Sequence, residues 1–128
     1  PYVVVSGGGI MFNYRIAEAT AGIVAEVARP LPDGGHVEAS FENPAGGAPI
    51  VESKPVTAER RRFSFITPPL TGIKADTDYK VTVRVLDAEG NAIQTVETKV
   101  HSDLDQSVLP KAPLVIGPGY AKNPAAAE

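Results

Sequence analysis

Three side chains with metal-binding chemistry alternate where the last predicted strand ends. His101, Asp103 and Asp105 occupy every second position, so on an extended segment they point to the same side. Imidazole nitrogens and carboxylate oxygens are both ligands of divalent metal ions. The competing interpretation is a polar exit from a sheet, because three ligands on a flexible tail are a weak indication of a metal site. We therefore predict neither a metal nor another cofactor, and these three residues are the candidates should a metal bind.

The sequence patterns that usually support catalysis do not occur. The chain has no cysteine, and no serine lies in a nucleophile elbow. The run Gly7–Gly9 lacks the lysine and the serine or threonine of a phosphate-binding loop, so we interpret it as a flexible joint. The acidic segment Asp87–Asn91 lacks the spacing of an EF-hand and is typical of a hairpin turn. We expect no catalytic residue and no enzyme activity.

Charge and hydropathy narrow the choice of partners. Lysine and arginine number 12 against 15 acidic residues, which gives a net charge of −3 and argues against a nucleic-acid partner. No apolar run approaches the ~20 residues that a membrane-spanning helix needs. Arg60, Arg61 and Arg62 form the basic run of the chain. They are candidates for binding a phosphate or an acidic partner, and the alternative is a solvated entry to a strand beside Glu59.

The spacing of apolar residues predicts strands along most of the chain. Between residues 79 and 85, a tyrosine and three valines alternate with Lys80, Thr82 and Arg84, which is typical of a half-buried strand. The alanine-rich stretch 16–28 alternates more like a strand than like a helix. Twelve glycines and 12 prolines separate the apolar runs. Strands recurring about every ten residues predict an all-β sandwich or barrel.

One segment resembles a known corner of fibronectin type III domains. The stretch Leu70–Val85 is similar to the corner between strands E and F of that family. The resemblance implies that the hydroxyl of Tyr79 bonds back to the backbone a few residues upstream and that Ile73 is the buried residue of the loop. Residues 37–51 resemble strand B, the B–C loop and strand C, with Phe41 where the family usually has tryptophan. The implied fold is an immunoglobulin-like (fibronectin type III-like) antiparallel β-sandwich.

The resemblance does not extend to either end of the chain. We expect an N-terminal strand extension at 1–21, the sandwich at 22–101, and an extended proline-rich tail at 102–128. Both ends carry apolar residues that could dock on a neighbour by strand addition. The alternative is that the ends cover their own sandwich and protect its edges. Together with the three arginines, the candidates for partner binding are Tyr2, Val4, Leu114 and Ile116.

We therefore expect the chain to bind a partner or to form part of an assembly. We predict a non-catalytic module that assembles with itself or docks onto a larger assembly, such as a filament, a surface layer or a virion shell. The alternative is an accessory subunit or domain of a cell-envelope enzyme complex. An extracellular, periplasmic or virion location is favoured over the cytoplasm. The start at Pro1 fits signal-peptide cleavage and removal of an initiator methionine equally well.

Overall fold

The computed structural model describes residues 1–112, 115–116 and 121–122. Within these residues, seven long strands, a short 3-10 helix and a pair of two-residue strands follow one another. The strands are β1 (Val3–Asn13), β2 (Glu18–Val27), β3 (His36–Phe41), β4 (Ile50–Pro55), β5 (Arg62–Ile66), β6 (Thr77–Leu86) and β7 (Ala92–Ser102), followed by the 3-10 helix Gln106–Val108, β8 (Val115–Ile116) and β9 (Ala121–Lys122).

The seven long strands form two antiparallel sheets, as an all-β sandwich requires. One sheet has the order β1-β2-β5, and the other has the order β4-β3-β6-β7. Because side chains alternate across a strand, each sheet turns one set of residues inward. In β6 the inward set is Tyr79, Val81, Val83 and Val85, all buried. The prediction of an all-β sandwich is confirmed.

Small residues of β2 make room for aromatic residues of β5. Ala25 pairs with Phe63, and Ile23 pairs with Phe65, on the inward side of the same sheet. The two phenylalanine rings are stacked with centroids 6.5 Å apart. An alanine beside a phenylalanine keeps the core filled without overpacking. The alanine-rich stretch is therefore a strand, as its alternation indicated.

The loop before β6 is held by a tyrosine and a glutamine. The Lys74 N–H donates a hydrogen bond to the Tyr79 hydroxyl oxygen at 2.8 Å, and Ile73 is buried beneath the loop. Gln106 of the 3-10 helix reaches the same loop. Its side chain accepts from the Ile73 N–H at 3.2 Å and donates to the Leu70 carbonyl at 3.1 Å. The chain after β7 is thereby attached to its own sandwich.

The N-terminal residues belong to the sandwich and do not extend from it. β1 pairs with β2 from Val3 to Asn13, and Val3 is part of the buried core. The boundary expected after residue 21 falls inside β2. The interpretation of Gly7–Gly9 as a flexible joint is wrong, because all three glycines lie in β1. A Cβ at Gly8 would lie 2.5 Å from Ile23 Cδ1 and 3.4 Å from Val100 Cγ1, so glycine allows β1 to approach both sheets closely.

One side chain bridges the two sheets at each open side of the sandwich. On one side, the Gln94 side chain of β7 accepts from the Tyr2 and Val3 N–H groups at 2.7 and 2.9 Å and donates to the Val3 carbonyl at 2.9 Å. On the other side, the Lys54 ammonium of β4 donates to the Ser64 carbonyl of β5. These contacts occupy backbone groups that a strand from another chain would need.

Two further expectations are corrected. Residues 37–41 and 50–51 pair as β3 and β4 of one sheet, whereas strands B and C of immunoglobulin-like domains lie in opposite sheets. The assignment of this stretch as B and C is therefore wrong. The C-terminal tail is also not simply extended, since it contains the 3-10 helix and the β8–β9 pair. No helix among the described residues is long and apolar enough to cross a membrane.

Candidate functional site

The outer surface of the three-stranded sheet is apolar along its middle. We call this surface the apolar face. It consists of the outward residues of β1, β2 and β5, which alternate with the buried residues of the same strands. Its central members are Gly7, Gly9, Met11, Thr20, Gly22, Val24, Ser64 and Ile66.

The register of the three strands puts glycines beside a protruding isoleucine. Gly9 pairs with Gly22, and Gly22 pairs with Ile66, so the three residues form one row across the sheet. A Cβ built on Gly9 would meet nothing within 4 Å, and one on Gly22 would lie 3.9 Å from Ile66 Cγ1. The isoleucine therefore leans over Gly22 and leaves a depression above Gly9. The groove along this face has a volume of about 380 Å³.

The large apolar side chains of this face are mostly in solvent. Met11 is 68% exposed, and Ile66 is 66% exposed. The central rows carry no charged residue, and the flanking charges lie at the ends of the face. At one end Arg62 and Glu26 form an ion pair of 3.2 Å. Hydrogen bonds from Ser6 and then from Arg62 hold the pKa of Glu26 below its ordinary value.

The outer surface of the four-stranded sheet has the opposite character. We call it the charged face. The Arg84 guanidinium bonds Glu38 at 2.7 Å, and the Glu42 carboxylate accepts from the Lys80 N–H at 2.8 Å. An open groove of about 410 Å³ on this face is lined mainly by polar side chains, including Ser40. Val51, which pairs with Ser40 on β3, is 52% exposed here.

A histidine surrounded by carboxylates lies at one end of the charged face. His101 Nδ1 is 2.7 Å from Asp78 Oδ1, and His101 Nε2 is 3.1 Å from Asp103 Oδ1 and 4.0 Å from Asp76 Oδ1. Lys99 forms a second ion pair with Asp78 at 3.1 Å. The hydrogen bond to Asp78 is the main reason why the pKa of His101 is raised above its ordinary value. The same bond, with a second from Lys99, lowers the pKa of Asp78.

The structure changes the set of candidate metal ligands. Asp76, His101 and Asp103 have ligand atoms within 4.8 Å of one another, whereas Asp105 caps the 3-10 helix by accepting from the Ser107 N–H at 3.0 Å. Asp105, a candidate ligand in the sequence, therefore does not lie with His101 and Asp103 in this group. Asp76 was missed because the corner loop brings it to His101 from 25 positions earlier in the chain. The carboxylates that could hold a metal ion together with His101 also raise its pKa, so a metal ion would have to displace the imidazole proton.

The predicted partner-binding residues do not form one site. The Tyr2 N–H is bonded to Gln94, and the guanidinium of Arg29 lies 3.9 Å above the Tyr2 ring. Arg60 lies over the Phe63 ring at 5.2 Å, and Arg62 pairs with Glu26, while Arg61 is exposed. Leu114 and the side chain of Ile116 lie outside the described residues. Among these candidates, Val4 is half-exposed at one end of the apolar face.

Sequence reasoning missed the residues at the middle of the apolar face. Met11 and Ile66 each stand at an outward position of a strand, where a solvated sheet would have a polar residue. That signal exists in the sequence, but it can be used only when the three strands are known to be neighbours. Gly9, Gly22 and Ile66 are far apart along the chain and meet only through the strand order.

Comparisons with known proteins find similarity in fold alone. No family model and no curated protein matches the chain. Among solved structures, the β-glucuronidase of Bacteroides uniformis aligns with 79% of this chain and 13% of its own, at 12% identity and a TM-score of 0.53. OgpA from Akkermansia muciniphila aligns with 80% of this chain and 28% of its own, at 14% identity and a TM-score of 0.46. A family 76 glycoside hydrolase from a bovine Bacteroides thetaiotaomicron strain aligns with 77% and 20%, at 11% identity and a TM-score of 0.43.

This chain spans a small part of each of those proteins. The first alignment has a TM-score of 0.53, and it shows that a sandwich of this shape recurs as one segment of a larger protein. It carries no information on substrate or catalysis, because a fold hosts many functions.

Proposed function

We propose that this chain is a non-catalytic module that docks onto another polypeptide through its apolar face. The observation that carries the proposal is the contrast between the two outer surfaces of one sandwich. Met11 and Ile66 expose about two-thirds of their surface on one side, whereas ion pairs cover the other side. A contiguous exposed apolar patch is the usual mark of a protein interaction surface.

The sides of the sandwich are less suited to docking than its face. A strand adds to a sheet by bonding unpaired backbone groups at an edge. Gln94 already occupies the backbone of Val3, and Lys54 occupies the carbonyl of Ser64. Docking through a face requires no free backbone and gains its free energy from apolar burial. Assembly into a filament, a surface layer or a virion shell stays a prediction. The apolar face is better suited than the sheet edges to form the contact between subunits.

We further infer a fibronectin type III-like domain. The inference is supported by the three-plus-four strand order and by the hydrogen bond from the Lys74 N–H to the Tyr79 hydroxyl, both features of that architecture. A second candidate function is an accessory domain of a larger enzyme, as the sequence analysis also considered. The observation that favours it is the alignment of this chain with 13% of the B. uniformis β-glucuronidase. In both cases the module would be non-catalytic and would contact protein.

A photo-cross-link from position 11 tests docking directly. A photo-cross-linking amino acid encoded at position 11 places the cross-linker on the apolar face. We expect irradiation of cells that make the protein to join position 11 to another polypeptide.

Two matched variants show whether the cross-link depends on the apolar face. Ile66→Asp puts a charge on this face, and Val51→Asp makes the same kind of change at a half-exposed aliphatic residue of the charged face. We expect Ile66→Asp to abolish the cross-link and Val51→Asp to retain it. Equal yields from the two variants would refute docking through the apolar face.

A further inference from the structure

We propose that a second copy of this chain occupies the apolar face, in a weak two-fold dimer that inserts Ile66 of each copy above Gly9 of the other. The proposal rests on the proposed function and names the partner for the same surface. It follows from the shape and charge of that surface.

One row of the apolar face contains both a protruding side chain and a depression that can receive the same side chain from a second copy. Ile66 on β5 protrudes, a depression lies above Gly9 on β1, and Gly22 on β2 lies between them. A two-fold axis parallel to the strands and above β2 places β1 of one copy over β5 of the partner. Each isoleucine then faces a Gly9, and the two Gly22 backbones face each other beneath the isoleucines that lean over them. A surface that is self-complementary in this way is what an isologous dimer requires.

The alternative two-fold axis, perpendicular to the strands, does not fit. It would reverse the strand direction and place β5 over β5, so that Ile66 meets Ile66. Gly9 would then meet Gly9, which leaves a void beside the colliding isoleucines. Voids and overlaps both weaken a packed interface. The positions of Ile66 and Gly9 therefore favour the axis parallel to the strands.

The end of the face that carries Arg62 is compatible with the parallel axis, and at the other end Glu18 lies on β2 near the axis. Val4, Glu26 and Arg62 form one row. The axis brings Arg62 of the partner over Val4, beside Glu26. Two arginines and two glutamates then meet, their charges sum to zero, and each carboxylate has a guanidinium on both sides.

The size of the face indicates a weak dimer. Three strands spaced about 4.8 Å apart over ten residues of β1 give a footprint of roughly 400 Å² on each copy. The two copies together bury roughly 800 Å², which is below the ~1,200 Å² of stable interfaces, so the association is weak and transient. The dimer should therefore form with increasing protein concentration.

Solution mass tests the second copy. Sedimentation equilibrium of the full chain, over roughly a hundredfold range of concentration, should show the mass rising from one copy towards two. Ile66→Asp should weaken association at least about tenfold, since a carboxylate would enter an apolar contact. Val51→Asp should leave the association unchanged, and thermal unfolding should confirm that both variants are folded.

A mixture of two variants tests the arrangement within the dimer. Gly9→Lys has room for a side chain, and it fills the hollow that receives Ile66. Neither Gly9→Lys nor Ile66→Asp should dimerise alone. Mixed together, they should form a heterodimer, because one contact becomes a lysine–aspartate pair and the other keeps the native isoleucine and glycine. A mixture that stays monomeric while the native chain dimerises would overturn the axis parallel to the strands.

The methyl resonance of Met11 separates failure of the dimer from failure of docking. If the mass and this NMR signal are both independent of concentration, the second copy is refuted. A cross-link from position 11 to a different polypeptide would then still support docking. If the cross-link is lost as well, the proposed function also fails.

Discussion

Tyr79 connects strand β6 to the loop that precedes it. Its hydroxyl oxygen accepts from the Lys74 N–H at 2.8 Å in a partly buried position. Tyr79→Phe removes only that acceptor and keeps the ring in the core. Leaving a buried N–H without a partner costs about 1–3 kcal/mol. We expect the free energy of unfolding, measured with urea, to fall by this amount.

Tyr14 provides the control for that variant. It lies in the turn between β1 and β2, and its side chain is 44% exposed. Tyr14→Phe should change the free energy of unfolding by less than about 0.5 kcal/mol, as most surface substitutions do. Equal effects of the two variants would show that the Tyr79 hydroxyl does not hold the corner.

The His101–Asp78 pair predicts how stability depends on pH. The pKa of His101 is raised from 6.5, chiefly by its hydrogen bond to Asp78, and the pKa of Asp78 is lowered from 3.8, chiefly by the same bond. The contribution of the histidine is complete below pH 6.5 and is lost as the pH rises through its folded-state pKa. The contribution of the aspartate is present above pH 3.8 and is lost as the pH falls through its folded-state pKa.

An NMR titration checks this prediction at the histidine itself. The imidazole protons of His101 should titrate above pH 6.5. Asp78→Asn should move the midpoint downward, since the amide carries no charge and makes a weaker hydrogen bond. An unchanged midpoint in that variant would mean that Asp78 is not the main cause of the shift.

At the scale of an element, strand β1 depends on glycines that have different neighbours. A Cβ at Gly8 would lie 2.5 Å from Ile23 Cδ1 and 3.0 Å from the Gly22 carbonyl, whereas one at Gly9 meets nothing within 4 Å. Gly8→Ala should therefore destabilise the fold by about 1–3 kcal/mol through overpacking. Gly9→Ala should be neutral or slightly stabilising, because alanine reduces the freedom of the unfolded chain.

The two alanine variants can be compared by thermal unfolding. The melting temperature should fall for Gly8→Ala and hold for Gly9→Ala. If both variants have the melting temperature of the native chain, β1 does not lie as close to β2 and β7 as it does in the structure.

The inward side of strand β6 was predictable from the sequence, and the inward side of strand β1 was not, for a physical reason. In β6 the tyrosine and three valines alternate with Lys80, Thr82 and Arg84, so polarity alone identifies the inward side. In β1 three consecutive glycines carry no polarity signal, and the register shifts between Val5 and Gly7. A bulge moves the later residues to the other side of the sheet, which is why Met11 points outward.

The site was less predictable than the fold because it depends on strand order. The row of Gly9, Gly22 and Ile66 joins three strands whose neighbours cannot be read from local alternation. Asp76 reaches His101 only through the corner loop. The alternation of His101, Asp103 and Asp105 suggested a shared side, but the chain turns after β7 and Asp105 bonds Ser107 instead.

At the scale of the whole molecule, one sandwich presents two unlike surfaces. The charged face carries ion pairs, and Gln94 and Lys54 each bridge the two sheets at one side. No described residue packs over the apolar face, where Ile66 and Met11 are largely exposed. Exposed apolar area is stabilised when another surface removes it from water. The central claim is therefore that another polypeptide covers the apolar face in the functional state of the protein.

The oxidation rate of Met11 tests that claim most directly. Hydrogen peroxide converts an accessible methionine to its sulfoxide, and the intact mass reports Met11 alone because the chain has one methionine. Oxidation should be several-fold slower inside cells that make the protein than for the same chain purified and diluted, at equal peroxide exposure calibrated with a free methionine peptide. Ile66→Asp should remove the difference, and Val51→Asp should keep it. Equal rates for the native chain in both settings would contradict the claim that the apolar face is covered.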